Sequence, residues 1–155
     1  MYQHTQLKSR SLTPTRENYL RALYQLSRSG GSVRLTDLAR TQGVRLPTAR
    51  HFVSCLRDVG LAEQESYGRI TLTTVGKRGG REISDRFELT RKFLIEVLGV
   101  PETAAEREAC VMEHHLDDDT LNRLAAFDKH VTRSAVRVEA GLGCLANLKS
   151  DITAK

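Results

Sequence analysis

The stretch that decides the fold runs from residue 33 to residue 72 and reads VRLTDLARTQGVRLPTARHFVSCLRDVGLAEQESYGRITL. Its apolar spacing predicts a short helix that Gly43 ends, a turn at residues 44–46, and a second helix that Pro47 opens. Gly60 ends this helix, and two short strands at 61–65 and 69–72 form a β-hairpin around residues 66–68. This order of elements is typical of a winged helix-turn-helix domain, whose second helix enters the DNA major groove.

The exposed face of that second helix carries polar side chains suited to DNA. Its buried face is predicted to be Ala49, Phe52, Val53 and Leu56, and Arg50 on the other side can bond a guanine edge with both arms of its guanidinium. Arg34, at the start of the preceding short helix, and Tyr67 and Arg69, at the hairpin tip, are expected to contact the DNA backbone. The alternative to DNA binding is that this helix-turn-helix unit serves only as a packing element of the fold. The candidate DNA-contacting residues are Arg34, Pro47, Thr48, Arg50, His51, Ser54, Arg57, Tyr67 and Arg69.

Charge is distributed unevenly along the chain. Residues 1–80 hold 13 Lys and Arg against 5 Asp and Glu, a balance of +8, whereas residues 81–155 hold 11 against 14, a balance of −3. A basic N-terminal half favours a polyanionic partner such as double-stranded DNA. The alternative is a chance excess of solvated arginines, which would give the same charge balance.

The rest of the chain reads as helices. Thr13-Pro14 starts the first helix, and Thr73-Thr74 starts a long one that ends at Gly99. Further helices are predicted at 101–116, after an Asp117–Asp119 cap, and at about 132–149, while residues 1–12 are expected to form a mobile basic arm. The fold class is therefore mainly α, with a winged helix-turn-helix domain at 1–75 and a helical dimerisation domain at 76–155.

Several classes of protein are disfavoured. No apolar stretch approaches the roughly 20 residues of a membrane helix, and no secretory signal is visible. Three cysteines at wide spacing (Cys55, Cys110 and Cys144) fit a reducing cytosol, so a cytoplasmic protein is expected. No nucleophile elbow or phosphate-binding glycine loop is present, and the protein is not expected to be an enzyme. The distant alternative is a small metal-dependent hydrolase with Glu113 as base beside His114.

One cluster in the acidic half has metal-binding character. Cys110, Glu113 and His114 are spaced i, i+3 and i+4, so all three project from one helical face. Thiolate, carboxylate and imidazole together suit a divalent transition metal. A buried cysteine beside a surface Glu-His pair is the competing interpretation.

A set of motifs from about Thr15 to Leu124 resembles the diphtheria toxin repressor family, especially its shorter manganese-transport-regulator branch. The similarity is specific because many short motifs occur in the family's order. They are Glu17-Asn18-Tyr19-Leu20, Leu23-Tyr24, Val33-Arg34, Asp37-Leu38-Ala39, Pro47-Thr48-Ala49, Gly60-Leu61, Tyr67-Gly68-Arg69-Ile70, Leu72-Thr73-Thr74-Val75-Gly76, Glu108-Ala109-Cys110 and Glu113-His114-His115-Leu116.

The resemblance implies a homodimeric repressor that binds palindromic operators when loaded with Mn(II) or Fe(II). It implies metal ligands at Cys110, Glu113 and His114, with Asn18 at the position of a Met or Asp in relatives. Zn(II) is a further option. Other family ligand positions hold Arg21, Phe87 and Arg91 here, so a second metal centre is expected to be lost.

Arg21 suggests an alternative without metal. A guanidinium at this position would supply the positive charge of an ion by pairing with Glu113, and the regulator would be metal-free. A redox-responsive regulator that uses Cys110 or Cys55 is a variant of this hypothesis. An Arg21 side chain that merely points to solvent would carry no function.

Overall fold

The computed structural model describes residues 12–64 and 68–138, with side chains as far as residue 130. In these ranges the helices are α1 (Pro14–Ser27), α2 (Leu35–Thr41), α3 (Leu46–Asp58), α4 (Thr74–Lys92), α5 (Glu102–His115) and α6 (Asp118–Val138). The strands are β1 (Ser32–Val33), β2 (Ala62–Gln64) and β3 (Ile70–Leu72). None of these helices is long and apolar enough to cross a membrane. The predicted N-terminal arm and Cys144 lie outside the described residues.

Helices α1 to α3 surround the core of the N-terminal unit. Thr13 caps α1 as predicted, because its hydroxyl accepts a hydrogen bond from the Arg16 amide at 3.5 Å. Gly43 has φ of 63° and closes the turn between α2 and α3. The core is made mainly of aliphatic residues from these three helices and the sheet, including Leu20, Leu23, Leu38, Val53, Leu56 and Ile70, and it also contains Tyr19 and, from α4, Ile83.

A three-stranded antiparallel sheet completes this unit, in the order β1-β3-β2. Val33 pairs with Ile70, and Gln64 pairs with Ile70 from the other side. The hairpin of β2 and β3 is confirmed, but the sequence prediction had no β1, because two residues are too few for periodicity to reveal a strand. Residues 65–67, and with them Tyr67, lie outside the described part of the chain.

The start of α4 packs closely on Leu61, in the segment that connects α3 to β2. The Thr73 amide donates to the Leu61 carbonyl at 3.1 Å, and the Thr73 hydroxyl accepts from the Gly76 amide at 3.0 Å. Helix α4 ends at Lys92 and a π-helical turn (Phe93–Val97) follows, so the single long helix predicted to Gly99 changes its winding.

The C-terminal unit contains the π-helical turn, α5 and α6. The rings of Phe93 and Phe127 meet edge to face, with centroids 6.1 Å apart. Asp117 caps α6 as predicted, because its side chain accepts from the Thr120 amide at 2.8 Å. The prediction of two separate helices after residue 117 is wrong as far as Val138, since α6 runs through residue 132 without a break; no glycine or proline is there to end it.

The chain divides into these two compact units between Phe87 and Glu88, inside α4. A functional boundary at residue 75 stays a prediction.

Candidate nucleic-acid interface and metal ligands

A cleft of about 870 Å³ opens on one face of the N-terminal unit. The start of α2, one side of α3 and the β2–β3 hairpin form its walls. Its lining holds four arginines and neither Asp nor Glu, so the cleft is strongly positive. The lining residues are Arg34, Leu35, Thr36, Leu46, Arg50, Ser54, Arg57, Gln64, Gly68 and Arg69.

Helix α3 supplies one wall through side chains spaced four, four and three residues apart: Leu46, Arg50, Ser54 and Arg57. These residues are exposed, while Ala49, Val53 and Leu56 are buried on the opposite side of the helix. The helical period therefore anchors α3 in the core along one stripe and presents another to the cleft. Phe52, predicted to be buried, is half-buried and stacks on Tyr19 with ring centroids 4.4 Å apart.

The opposite wall is held by contacts within the sheet. Arg69 donates from Nη1 to the Ser32 hydroxyl at 3.4 Å, which ties the hairpin to β1. Gln64 donates from Nε2 to the Gly68 carbonyl at 3.0 Å across the hairpin. Arg34 precedes the first turn of α2 and is exposed.

Five of the nine predicted DNA-contacting residues come together in this cleft: Arg34, Arg50, Ser54, Arg57 and Arg69. Pro47, Thr48 and His51 are exposed on α3 but do not line it. The other five lining residues were not among the predicted DNA contacts: Leu35, Thr36, Leu46, Gln64 and Gly68. Leu46 was placed in the turn, whereas the structure makes it the first residue of α3. Its spacing of four from Arg50 was the available signal.

Near this interface, α3 also carries a cysteine–histidine pair. The Cys55 Sγ lies 3.7 Å from His51 Nε2, within hydrogen-bond distance for sulfur. The His51 ring in turn meets the edge of Phe52 at 5.3 Å. The pair places a thiol beside an imidazole on the helix expected to read DNA.

The predicted metal ligands of the acidic half share one face of α5. Glu113 is buried, with 1% of its side chain exposed, and the His114 side chain is 5% exposed. Glu113 Oε1 and His114 Nε2 are 3.8 Å apart, and Cys110 is half-buried one turn earlier. Asn18 is a half-buried residue of α1, in the other unit.

At two positions where the resemblance implies metal ligands, the side chains cannot coordinate a metal ion. In the N-terminal unit the Arg21 guanidinium lies 3.7 Å above the centroid of the Phe87 ring, a cation–π contact. Neither side chain offers an electron pair to a metal, because the guanidinium has N–H donors and no acceptor, and phenylalanine has no polar atom.

Arg91, the third such position, is surrounded by carboxylates in the C-terminal unit. It forms a close ion pair with Glu102, and further pairs with Glu106 at 3.8 Å and Glu88 at 3.9 Å. Only 23% of the Arg91 side chain is exposed. Next to it, a hydrogen bond from Lys92 to Asp128 at 2.7 Å raises the pKa of Lys92. Arg91 therefore joins α4 to α5 through ion pairs with Glu102 and Glu106.

Arg91→Ala is expected to lower the free energy of unfolding of the C-terminal unit by about 1–2 kcal/mol at low salt, because three carboxylates lose a shared, partly buried cation. Thermal unfolding of the full chain measures the effect. Arg123→Ala is the matched control, since Arg123 pairs with Asp119 at 2.7 Å but is 78% exposed. Equal changes in the two variants would contradict a special role of Arg91.

The donor chemistry of Cys110, Glu113 and His114 fits one transition-metal ion, whereas Phe87 and Arg91 do not fit a second. Among the described residues no group of three or more His, Cys, Asp or Glu side chains surrounds a point where an ion would sit. Cys110, Glu113 and His114 on one helix therefore form an incomplete ligand set by themselves.

Two protein-family models match this chain, one in each half. Residues 11–70 match the family model for the N-terminal DNA-binding domain of iron-dependent repressors. Residues 73–136 match the model for the metal-binding and dimerisation domain of the same repressors.

Individual relatives agree with these matches. The chain is 32% identical over 112 residues to an uncharacterized HTH-type transcriptional regulator of Methanocaldococcus jannaschii, which covers 72% of this chain and 90% of the relative. It is 33% identical over 115 residues to the transcriptional regulator MntR of Escherichia coli, covering 74% of each. The solved manganese regulator SloR aligns with a TM-score of 0.67 and 25% identity, over 76% of this chain but only 55% of its own.

Proposed function

This chain belongs to the iron-dependent repressor family, and on that premise we propose that it is a homodimeric transcriptional repressor of palindromic operators. Its N-terminal half is the family's DNA-binding domain, and its C-terminal half is the family's metal-binding and dimerisation domain. The observation that carries the proposal is the cleft with four arginines and no acidic side chain, built on an exposed face of α3. Such a surface neutralises phosphates while a helix enters the groove.

A homodimer is supported by large apolar side chains left exposed in the C-terminal unit. They are Val97, Leu98, Val111 and Phe127, of which Val111 is 61% exposed. Burial of such side chains in a second copy is favourable. Two copies of α3 would then reach half-sites about one helical turn, ~34 Å, apart or a multiple of it, and the symmetry of such a dimer predicts a palindromic operator.

The test is selection of genomic DNA fragments by the purified full chain, followed by sequencing and sedimentation of the complexes. We expect an inverted-repeat sequence, two chains per site, and affinity that falls steeply with salt. No retained duplex at low ionic strength, whatever metal is supplied, would exclude the proposal.

We further propose that the repressor is metal-responsive and holds one ion per chain. Cys110, Glu113 and His114 would bind it with Asn18, and the donor types suit Mn(II), Fe(II) or Zn(II). The bound ion would supply positive charge against Glu113. Metal content after dialysis against each ion, measured together with operator affinity, tests this; affinity that is equal in chelator and in every metal would contradict it.

A second candidate is a metal-independent repressor of the same architecture, which the Arg21–Phe87 contact favours because it already places a cation at a ligand position. Arg21→Glu should then make operator binding depend on metal, whereas Arg28→Glu at the exposed end of α1 should not. If operator binding is unaffected by Arg21→Glu, this role of Arg21 is excluded.

A redox-responsive repressor that uses the His51–Cys55 pair is a variant of this candidate. It predicts that peroxide weakens operator binding and that Cys55→Ser abolishes the sensitivity to peroxide.

The family members in these matches are transcriptional regulators, and we infer that this chain acts by binding rather than by catalysis. Turnover of phosphate esters with added metal, lost in Glu113→Gln, would instead favour the hydrolase alternative.

A further inference from the structure

Leu46 is an exposed leucine that does not contribute to the hydrophobic core. It is the first residue of α3, and 43% of it is accessible to solvent. It is absent from the hydrophobic core and from the partly buried residues packed against that core. Single exposed leucines are common on protein surfaces, so its neighbours decide its meaning.

Those neighbours are the polar side chains of the arginine-lined cleft. Leu46 lies one helical turn before Arg50 and two turns before Ser54, on the same stripe of α3. Leu35 and Thr36 from the start of α2 line the same cleft. Leu46 is therefore an apolar position on the surface that we assign to DNA.

Duplex DNA offers one apolar feature in its major groove, which is the C5-methyl group of thymine. The first residues of a recognition helix are those that contact base edges. From these two facts and the position of Leu46 we propose that its side chain determines operator specificity by packing on a thymine methyl in each half-site. This inference rests on the proposed DNA-binding function and names a base that function alone leaves open.

The expected contribution is modest and measurable. Burying one methyl group changes an equilibrium constant about fourfold. Because the operator has two half-sites, removing both symmetric methyls should weaken binding about sixteenfold if the sites are independent.

Deoxyuridine provides the test, since it differs from thymidine only by lacking this methyl. Operators selected by the full chain are synthesised with each symmetric thymine pair replaced in turn, and affinities are measured for the natural chain, Leu46→Ala and Leu46→Met. We expect one pair whose replacement weakens the natural chain about sixteenfold and Leu46→Met by a similar factor, but leaves Leu46→Ala unchanged. Melting curves check that the variants fold.

The outcomes separate the two levels of inference. If operators are bound and no thymine pair loses its sensitivity in Leu46→Ala, the Leu46 assignment is wrong while the DNA-binding function stands. If the natural chain is insensitive to deoxyuridine at every position, the assignment fails without any variant. If no duplex is bound, the proposed function itself fails.

Discussion

Gly76→Ala is expected to lower the free energy of unfolding of the N-terminal unit by about 3 kcal/mol or more. A Cβ atom at this position would lie 1.9 Å from the Leu61 carbonyl oxygen and 2.9 Å from its carbon. The obstacle is backbone, and the same carbonyl accepts a hydrogen bond from the Thr73 amide, so it cannot move aside without breaking that contact. Denaturant unfolding followed by circular dichroism on the full chain measures the loss.

The control for this substitution is Gly30→Ala. A Cβ atom at Gly30 would have no heavy atom within 4 Å, and its backbone is not among the positive-φ glycines of the described residues. It should change stability by less than about 0.5 kcal/mol. Helix propensity alone predicts the opposite order, since alanine is favoured over glycine inside α4 by about 1 kcal/mol. A stabilised Gly76→Ala variant would mean that the helix start is not packed on Leu61 as described.

Arg50→Ala is expected to weaken operator binding by about 1–3 kcal/mol per half-site and to relax the base preference at one position. The reason is that Arg50 is exposed in the middle of the cleft-facing stripe, where its guanidinium can bond a guanine edge with two hydrogen bonds. Affinity for operator sequences mutated one position at a time, in the natural chain and the variant, reveals both effects.

Substitutions of two other arginines distinguish base recognition from electrostatic contact with the DNA backbone. Arg69→Ala should weaken binding to all sequences by a similar factor and reduce the salt dependence, because a backbone contact carries no sequence information. Arg40→Ala should leave affinity unchanged, since the exposed Arg40 pairs with Asp37 and does not line the cleft. Arg50→Ala and Arg69→Ala with the same uniform effect would show that Arg50 also contacts only phosphate.

The local signals in the sequence predicted most element ends in the N-terminal unit. Thr13 and Pro14 mark the start of α1 because cap and first-turn preferences depend on the chain alone. The same reasoning failed for β1, whose two residues become a strand only when Val33 pairs with Ile70. It also failed at the π-helical turn after Lys92, which no residue type announces.

For the candidate site, residue types were predictable and their grouping was not. Periodicity identified Arg50, Ser54 and Arg57 as exposed, because the buried stripe of α3 is visible in its spacing. That Arg34 and Arg69 line the same cleft depends on contacts between residues more than 30 positions apart, such as Arg69 with Ser32.

The sequence by itself determined that a basic winged helix-turn-helix domain precedes an acidic helical half, because charge, caps and helical period are local properties of the chain. Tertiary structure alone decided which side chains meet. It places Arg21 over Phe87, surrounds Arg91 with three carboxylates, leaves Leu46 exposed among arginines, and presses Gly76 on Leu61. The physical reason is that such contacts are set by packing between distant segments, and packing depends on shape and volume that no local pattern encodes.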